Sequence, residues 1–170
     1  MKPIRLTTTI LILLTLASLL LSACQATISR NPDGSLRVET SMTGTALQSE
    51  IQAALSDPLI QSLTIDLQTG YILVSGVRKR LNSDQTDSLT FRLDLGVSGG
   101  HLTALVSDAQ VDGVPVEAAR VALWNERIAN RLERAAQRHP NSTLQSVTVA
   151  NNVVTMVFRV ETARSRGGSQ

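Results

Sequence analysis

The residues that could carry out nucleophilic or acid–base chemistry are few and far apart. The chain has 170 residues with two histidines, His101 and His139, and one cysteine, Cys24. Neither histidine has a second metal-binding residue at ligand spacing, so the sequence predicts no metal site. Ser107, His101 and Asp108 could form a hydrolase triad by residue type, but neighbouring strand residues point to opposite faces and no G-x-S-x-G motif is present. We therefore predict neither enzymatic activity nor a cofactor.

Positive charge is concentrated on one predicted helix. Five arginines fall within about 60° of one another at helical spacing. Like charges four residues apart destabilise a helix slightly, so local energetics do not favour this stripe. Three explanations stay open: the arginines offset the helix dipole, they pair with acids elsewhere in the fold, or they face an anion such as a phospholipid headgroup or a cell-wall polymer. The stripe is Arg120, Arg127, Arg131, Arg134 and Arg138.

The overall composition argues against binding to nucleic acid. Beyond residue 23 the chain has 14 basic and 14 acidic residues, and it has four aromatic residues in all. A neutral domain lacks the positive field of a nucleic-acid binder, and four aromatics supply few stacking platforms. The run Arg78-Lys79-Arg80 is interpreted either as solvated loop charge or as a membrane-facing patch.

The N-terminus has the layout of a bacterial export signal. Lys2 and Arg5 precede an apolar stretch from Ile10 to Leu21, which is shorter than the ~20 residues of a membrane span. The following Leu21-Ser22-Ala23-Cys24 resembles the bacterial lipobox. This resemblance implies cleavage before Cys24 and acylation of its thiol, which would anchor the protein to the membrane. It also implies a location on the extracytoplasmic face of the cell membrane, or at the outer membrane of a diderm.

The expected domain organisation follows from this signal. We predict a signal peptide over 1–23, a lipidated tether over 24–34, a single domain over 35–161 and a disordered tail over 162–170. The tether contains the turn signal Asn31-Pro32-Asp33-Gly34.

Within the domain, segments whose apolar residues have the spacing of a strand alternate with segments whose apolar residues have the spacing of a helix. Thr45-x-x-Gln48 is a capping-box pattern that predicts a first helix, stopped by Asp57-Pro58. A longer helix is predicted from about Val116 to Arg138, before His139-Pro140. We predict an α+β fold with one antiparallel sheet and two helices, in the order β-α-β-β-β-β-α-β-β, with the long C-terminal helix packed on a curved sheet.

Two segments of the chain are similar in sequence. Ile60–Ile65 and Leu144–Val149 each follow a proline-terminated helix and precede a hairpin. Chance similarity between strands and a true structural repeat both remain open as explanations.

The element order resembles that of small bacterial members of the BPI/SMP-like (tubular lipid-binding) superfamily, over about residues 35 to 161. Thr43–Leu55, Gly100–Val114 and Leu144–Val160 carry this resemblance. It implies a curved sheet around a long helix, with an apolar groove for acyl chains. Tyr71–Val74 and Val153–Phe158 are apolar on both faces, in agreement with such a groove. The expected lining residues are Leu73, Val97, Leu105 and Val157.

The sequence is therefore consistent with two hypotheses of function. The leading hypothesis is a membrane-anchored lipoprotein that binds or transfers a phospholipid or another acyl ligand. The alternative is a structural or scaffolding envelope lipoprotein that binds another protein and no small ligand. The alternative predicts a filled core and an apolar surface patch in place of an open groove.

Overall fold

The computed structural model of the chain describes residues 24–137 and 139–161. The predicted signal peptide, Arg138 and the predicted tail lie outside the described residues. Two helices and nine strands make up the described part of the chain. The helices are α1 (Gly44–Leu55) and α2 (Ala118–Ala136). The strands are β1 (Cys24–Arg30), β2 (Leu36–Thr43), β3 (Ile60–Gln68), β4 (Tyr71–Lys79), β5 (Thr86–Ser98), β6 (His101–Val111), β7 (Val114–Pro115), β8 (Ser142–Ala150) and β9 (Val153–Val160).

The strands form two antiparallel sheets, so the prediction of a single sheet is wrong. The four-stranded sheet has the order β1-β2-β9-β8, and the five-stranded sheet has the order β3-β4-β5-β6-β7. The last hairpin, β8–β9, pairs with β2 near the start of the chain and does not extend the sheet of β3 to β6. Hydrophobic alternation identifies a strand and its buried face, but it does not identify the partner strand.

Strands β1 and β7 were not predicted. The segment expected to be a tether contains β1, which pairs with β2 residue by residue from Cys24 opposite Met42 to Arg30 opposite Leu36. Only the turn that follows β1 matches the expectation, with Gly34 at φ 88°. The apolar Ala26 and Ile28 alternate with polar residues in β1, but residues 26–30 are all exposed on this edge strand, so the alternation does not mark a face buried against the core.

The helices supply one wall of a closely packed core. Leu47 and Ile51 of α1, with Ile128 and Leu132 of α2, are all 0% exposed. Helix α2 packs chiefly against β6 and α1. The capping-box prediction is wrong, because α1 begins one residue earlier than Thr45 and its N-cap residue, Thr43, makes no side-chain cap hydrogen bond.

The predicted repeat is confirmed in the structure. In both hairpins the register shifts at the same point of the matching sequences, between Ile60 and Ser62 in β3 and between Leu144 and Ser146 in β8. Each shift is a β-bulge that leaves one glutamine without a partner residue. Both hairpins then close through a two-residue turn, so the sequence similarity reflects a repeated helix–hairpin unit.

The two sheets meet where the turns of one sheet reach the edge of the other. The backbone N–H of Gly70, in the β3–β4 turn, donates to the carbonyl oxygen of Val149 over 2.9 Å. The N–H of Leu144 donates to the carbonyl oxygen of Gly100, in the β5–β6 turn, also over 2.9 Å. These bonds occupy backbone groups on the free edge of β8, which would otherwise be open to pairing.

Candidate functional site: the open face of the five-stranded sheet

The five-stranded sheet has one face on the core and one face without a helix, which we call the open face. Alternation along β4 and β5 sends Ile72, Val74 and Phe91 to the core, where they are buried. The intervening residues Leu73 and Arg92 are directly opposite each other in the register of these strands. The open face therefore combines apolar and charged side chains at its centre.

A cleft of about 630 Å³ lies on the open face. Its lining combines hydroxyl, amide, carboxylate, guanidinium and aromatic groups with one exposed leucine. The lining residues are Thr64, Asp66, Tyr71, Leu73, Val74, Ser75, Thr90, Phe91, Arg92, Asp108 and Gln110.

Arg92 is held in place from two sides. Its guanidinium carbon lies 4.1 Å from the centroid of the Tyr71 ring, which is a cation–π geometry. Its Nε and a terminal nitrogen donate to the two carboxylate oxygens of Asp94 over 2.8 and 2.6 Å. These bonds raise the pKa of Arg92 and lower the pKa of Asp94. Bidentate pairing and stacking together fix the orientation of a side chain that is otherwise flexible.

Asp108 reaches the cleft through a bulge in β6. The register of β5 and β6 shifts between Thr90 and Arg92, and Asp108 has a left-handed φ of 52°. An aspartate in this conformation costs on the order of 1 kcal/mol or more. The negative charge of Asp108 also helps to raise the pKa of Arg92. The bulge therefore brings a carboxylate close to the fixed guanidinium.

Leu73 supplies the apolar part of the cleft. Its side chain is 43% exposed, and in register it lies between Asp66 on β3 and Arg92 on β5. An exposed leucine beside a stacked arginine and a tyrosine is typical of a contact surface, because aromatic and arginine side chains dominate binding hot spots.

The four residues expected to line an apolar groove do not share one concavity. Leu73 is on the open face, and Leu105 is 59% exposed at a separate cleft between β6 and α2. Val97 is partly buried against the core. Val157 is 7% exposed and lies opposite Glu39 and Ser146 in the other sheet.

Three arginines of the stripe, Arg127, Arg131 and Arg134, line a surface cleft beside the C-terminal end of α1. Arg131 forms an ion pair with Glu50 of α1, and the Nε of Arg134 donates to the carbonyl oxygen of Asn130 over 3.0 Å. Among the residues that the structure describes, the side chains of Arg120 and Arg127 make no ion pair or hydrogen bond. Pairing with an acid elsewhere in the fold, one of the three explanations, thus applies to Arg131.

The basic run 78–80 is neutralised by neighbouring acids, so it does not form a membrane-facing positive patch. The hydrogen bonds that Arg80 donates to the carboxylate of Asp87 raise the pKa of Arg80, and the hydrogen bond donated by the backbone N–H of Ser88 lowers the pKa of Asp112. The pairs are Arg78 with Asp57 and Asp87, Lys79 with Asp84, and Arg80 with Asp87 and Asp112.

The hypothetical triad residues are not brought together. His101 and Ser107 are six residues apart on one extended strand, which is about 20 Å, and the Nδ1 of His101 lies 3.0 Å from Glu133. Over residues 24–137 and 139–161, no group of three or more potential metal ligands is gathered in one place. None of the described helices is long and apolar enough to cross a membrane.

The sequence predicted Leu73 as part of an apolar groove and not of this cleft, and it did not single out Tyr71, Arg92 or Asp108 as lining residues. The alternation of β5 already placed Arg92 on the polar side of a strand. The register that sets it beside Tyr71 and the bulge that presents Asp108 depend on pairing between strands, which single-strand patterns do not encode.

Comparison of the chain with protein-family models, with curated proteins and with solved structures finds no match to any of them. Its function therefore has to be inferred from its own residues.

Proposed function

We propose that this chain is a lipid-anchored, extracytoplasmic binding module that holds a partner protein of the bacterial envelope on its open face. The observation that carries the proposal is the cleft in which Arg92, fixed by Tyr71 and Asp94, adjoins the exposed Leu73. A pre-oriented arginine and aromatic pair loses little side-chain entropy on binding, which favours affinity for a protein surface. The surrounding hydroxyl and carboxylate groups suit the polar rim of an interface.

The packing of the core supports a protein partner over an internal acyl ligand. Helix residues Leu47, Ile51, Ile128 and Leu132 are completely buried between the helices and the sheets. An acyl chain needs a continuous apolar channel, and the four residues expected to line one lie in four different places. A filled core and an exposed apolar surface were the features expected of the scaffolding alternative.

Photo-crosslinking from the open face tests the proposal. A photoreactive amino acid replaces Leu73, which is 43% exposed, or in the control Leu123 on α2, which is 41% exposed. The full-length protein is produced in the bacterium of origin and irradiated in intact cells. We expect a discrete protein adduct from position 73 that is lost on Arg92→Glu, and no such adduct from position 123. The same adducts from both positions, or adducts that survive Arg92→Glu, would contradict a role for the open face.

Binding of an acyl ligand is the second candidate function. It is favoured by a cleft of about 500 Å³ between β6 and the first turns of α2, where Leu105, Val116 and Val121 contribute apolar surface. Native mass spectrometry of the purified protein separates the two functions. Acyl binding is supported if the protein carries a bound phospholipid and the Leu105→Asp variant does not. Protein binding is supported if the protein carries no lipid and the crosslinking experiment gives the adduct from position 73.

A further inference from the structure

The structure leaves no flexible segment between Cys24 and the folded domain. Cys24 is the first residue of β1 and lies opposite Met42, and every following residue of β1 has a partner on β2. If the thiol of Cys24 is acylated, as the proposed function requires, the acyl chains must leave the domain at this end of the four-stranded sheet. The anchor then fixes which end of the domain is nearest the bilayer.

Several turns share this end of the domain, which we call the Cys24 end. Met42 lies opposite Val154, which lies opposite Val149, so the row from Cys24 to Val149 spans about 14 Å. The β8–β9 turn, Asn151–Asn152, extends just beyond this row. The β3–β4 turn, Thr69–Gly70, is bonded to it, with the Thr69 hydroxyl 3.3 Å from Asn151 and the Gly70 amide bonded to Val149. Helix α1 also begins here, directly after Thr43.

The residues at the Cys24 end itself are uncharged. They are 24–26, 42–46, 68–71 and 149–154, in which the exposed positions at the turns are threonine, asparagine and glycine. The ion pair nearest to these residues is that of Arg92 with Asp94, and the guanidinium of Arg92 stacks on Tyr71.

The opposite end of the four-stranded sheet is rich in charge. Arg159 forms ion pairs with Asp33 over 2.8 Å and with Glu161 over 2.6 Å. Arg37 pairs with Glu39 on the same strand, and Arg30 ends β1. One end of the sheet is thus uncharged and the other carries a network of ions, although the domain as a whole is close to neutral.

The geometry points to the Cys24 end as a bilayer-contact surface, with the Asp33–Arg159 end facing away from the membrane. Charged groups are expensive to bring towards hydrocarbon, whereas amide, hydroxyl and tyrosine side chains are tolerated at the headgroup level. The absence of charge over 24–26, 42–46, 68–71 and 149–154 therefore lowers the energetic barrier to direct contact with the bilayer. This inference rests on the proposed lipid anchor and adds a fixed orientation to it.

Site-specific quenching by lipids tests the orientation. The chain has one cysteine, which the lipid thioether would consume, so an introduced cysteine is the only free thiol. Asn152→Cys at the Cys24 end and Pro32→Cys at the opposite end are labelled with an environment-sensitive fluorophore in the lipidated protein. The protein is reconstituted into phosphatidylcholine and phosphatidylglycerol vesicles that contain a headgroup-nitroxide lipid. We expect about twofold or greater quenching at 152 relative to 32, because the two labels are separated by about 20 Å or more.

The possible outcomes distinguish the orientation from the anchor. If both positions are quenched equally, or position 32 more strongly, the orientation is wrong although the anchor holds. If intact-mass measurement finds no diacylglyceryl group on Cys24 and the protein does not float with the vesicles, the anchor itself is wrong and the inference is overturned with it. The orientation and the anchor are both supported if the label at Asn152→Cys is quenched while Cys24 carries its lipid. The same label should then not be quenched in a Cys24→Ser variant mixed with the same vesicles.

Discussion

The two helix–hairpin units, α1–β3–β4 and α2–β8–β9, share a local plan and differ in their surroundings. Each helix is followed by a proline, each first strand carries a bulge at the matching glutamine, Gln61 or Gln145, and each hairpin closes in two residues. The β8 edge is covered by the turns at Gly70 and Gly100, whereas the hairpin β3–β4 contributes to an open face. Local sequence therefore determines the unit, and neighbouring strands determine whether its surface is available for binding.

The helices of the two units differ in the same way. Helix α1 packs its buried face on the core and pairs Glu50 with Arg131 at the surface. Helix α2 packs on the same core but also supplies acceptors to the free edge of β6. Its Glu133 and Asn125 accept the backbone N–H groups of Leu102 and Val106 over 2.7 and 2.8 Å. One helix is chiefly a packing element, and the other also closes a sheet edge.

The first prediction tests whether both helices contribute equally to one core. Leu47→Ala in α1 and Leu132→Ala in α2 each remove a side chain that is 0% exposed. We expect each to lower the free energy of unfolding by about 3 kcal/mol, because each leaves a cavity in addition to the lost burial. Urea denaturation followed by far-UV circular dichroism measures both losses.

The partly exposed Leu123 supplies the control, and Leu123→Ala should change stability by less than about 0.5 kcal/mol. A two-step unfolding curve in one variant would indicate that the units fold separately and that the core is not shared. The same conclusion would follow if only one of Leu47→Ala and Leu132→Ala lowered the free energy of unfolding.

Much of the fold was predictable because its signals are local. The helices, their proline stops, the hairpin β8–β9 and the repeat at Ile60 and Leu144 all follow from periodicity and turn residues. The pairing of β2 with β9 was not predictable, because it joins distant segments of the chain. Strand β1 was not predicted, because the sequence of a short edge strand that stays exposed is hard to distinguish from that of a tether.

The candidate site was less predictable than the fold. Leu73 was expected to line an acyl groove, because β4 is apolar on both faces. The stack of Arg92 on Tyr71 depends on the register of β4 and β5, and the position of Asp108 depends on a bulge with left-handed backbone. Acylation of Cys24 stays a prediction from the lipobox resemblance.

The second prediction concerns the bulge that the two hairpins share. Close to the bulge of the first unit is Gly76, the partner of Leu63, where an added Cβ would lie 2.7 Å from the carbonyl oxygen of Ser62. In the second unit the matching position is Met156, paired with Val147. We expect Gly76→Ala to destabilise the protein by about 2 kcal/mol, because the backbone of β3 must shift.

Gly96→Ala is the matched control for Gly76→Ala within the same sheet. There the added Cβ would meet the Oγ1 of Thr103 at 2.9 Å, and this side-chain atom can move away by rotation. Thermal denaturation of both variants should show the larger loss for Gly76→Ala. Equal losses would mean that the bulge is not tighter in the first unit than elsewhere in the sheet.

The third prediction has the smallest expected effect and isolates the second role of α2. The side chain of Glu133 is 14% exposed, and it accepts the N–H of Leu102, a residue that is 5% exposed. Glu133→Ala leaves this donor without its partner and should cost about 1.5 kcal/mol. Glu50→Ala removes a partly exposed ion pair with Arg131 and should cost less than about 1 kcal/mol.

Glu133→Gln separates the hydrogen bond from the charge, because the amide oxygen of glutamine still accepts from Leu102. We expect this variant to retain most of the stability that Glu133→Ala loses. Hydrogen exchange should show faster exchange of the Leu102 amide in Glu133→Ala than in Glu133→Gln, while the amides of α1 stay unchanged. If Gln and Ala at position 133 behave alike, the contribution of Glu133 is electrostatic, and α2 does not protect the β6 edge by hydrogen bonding.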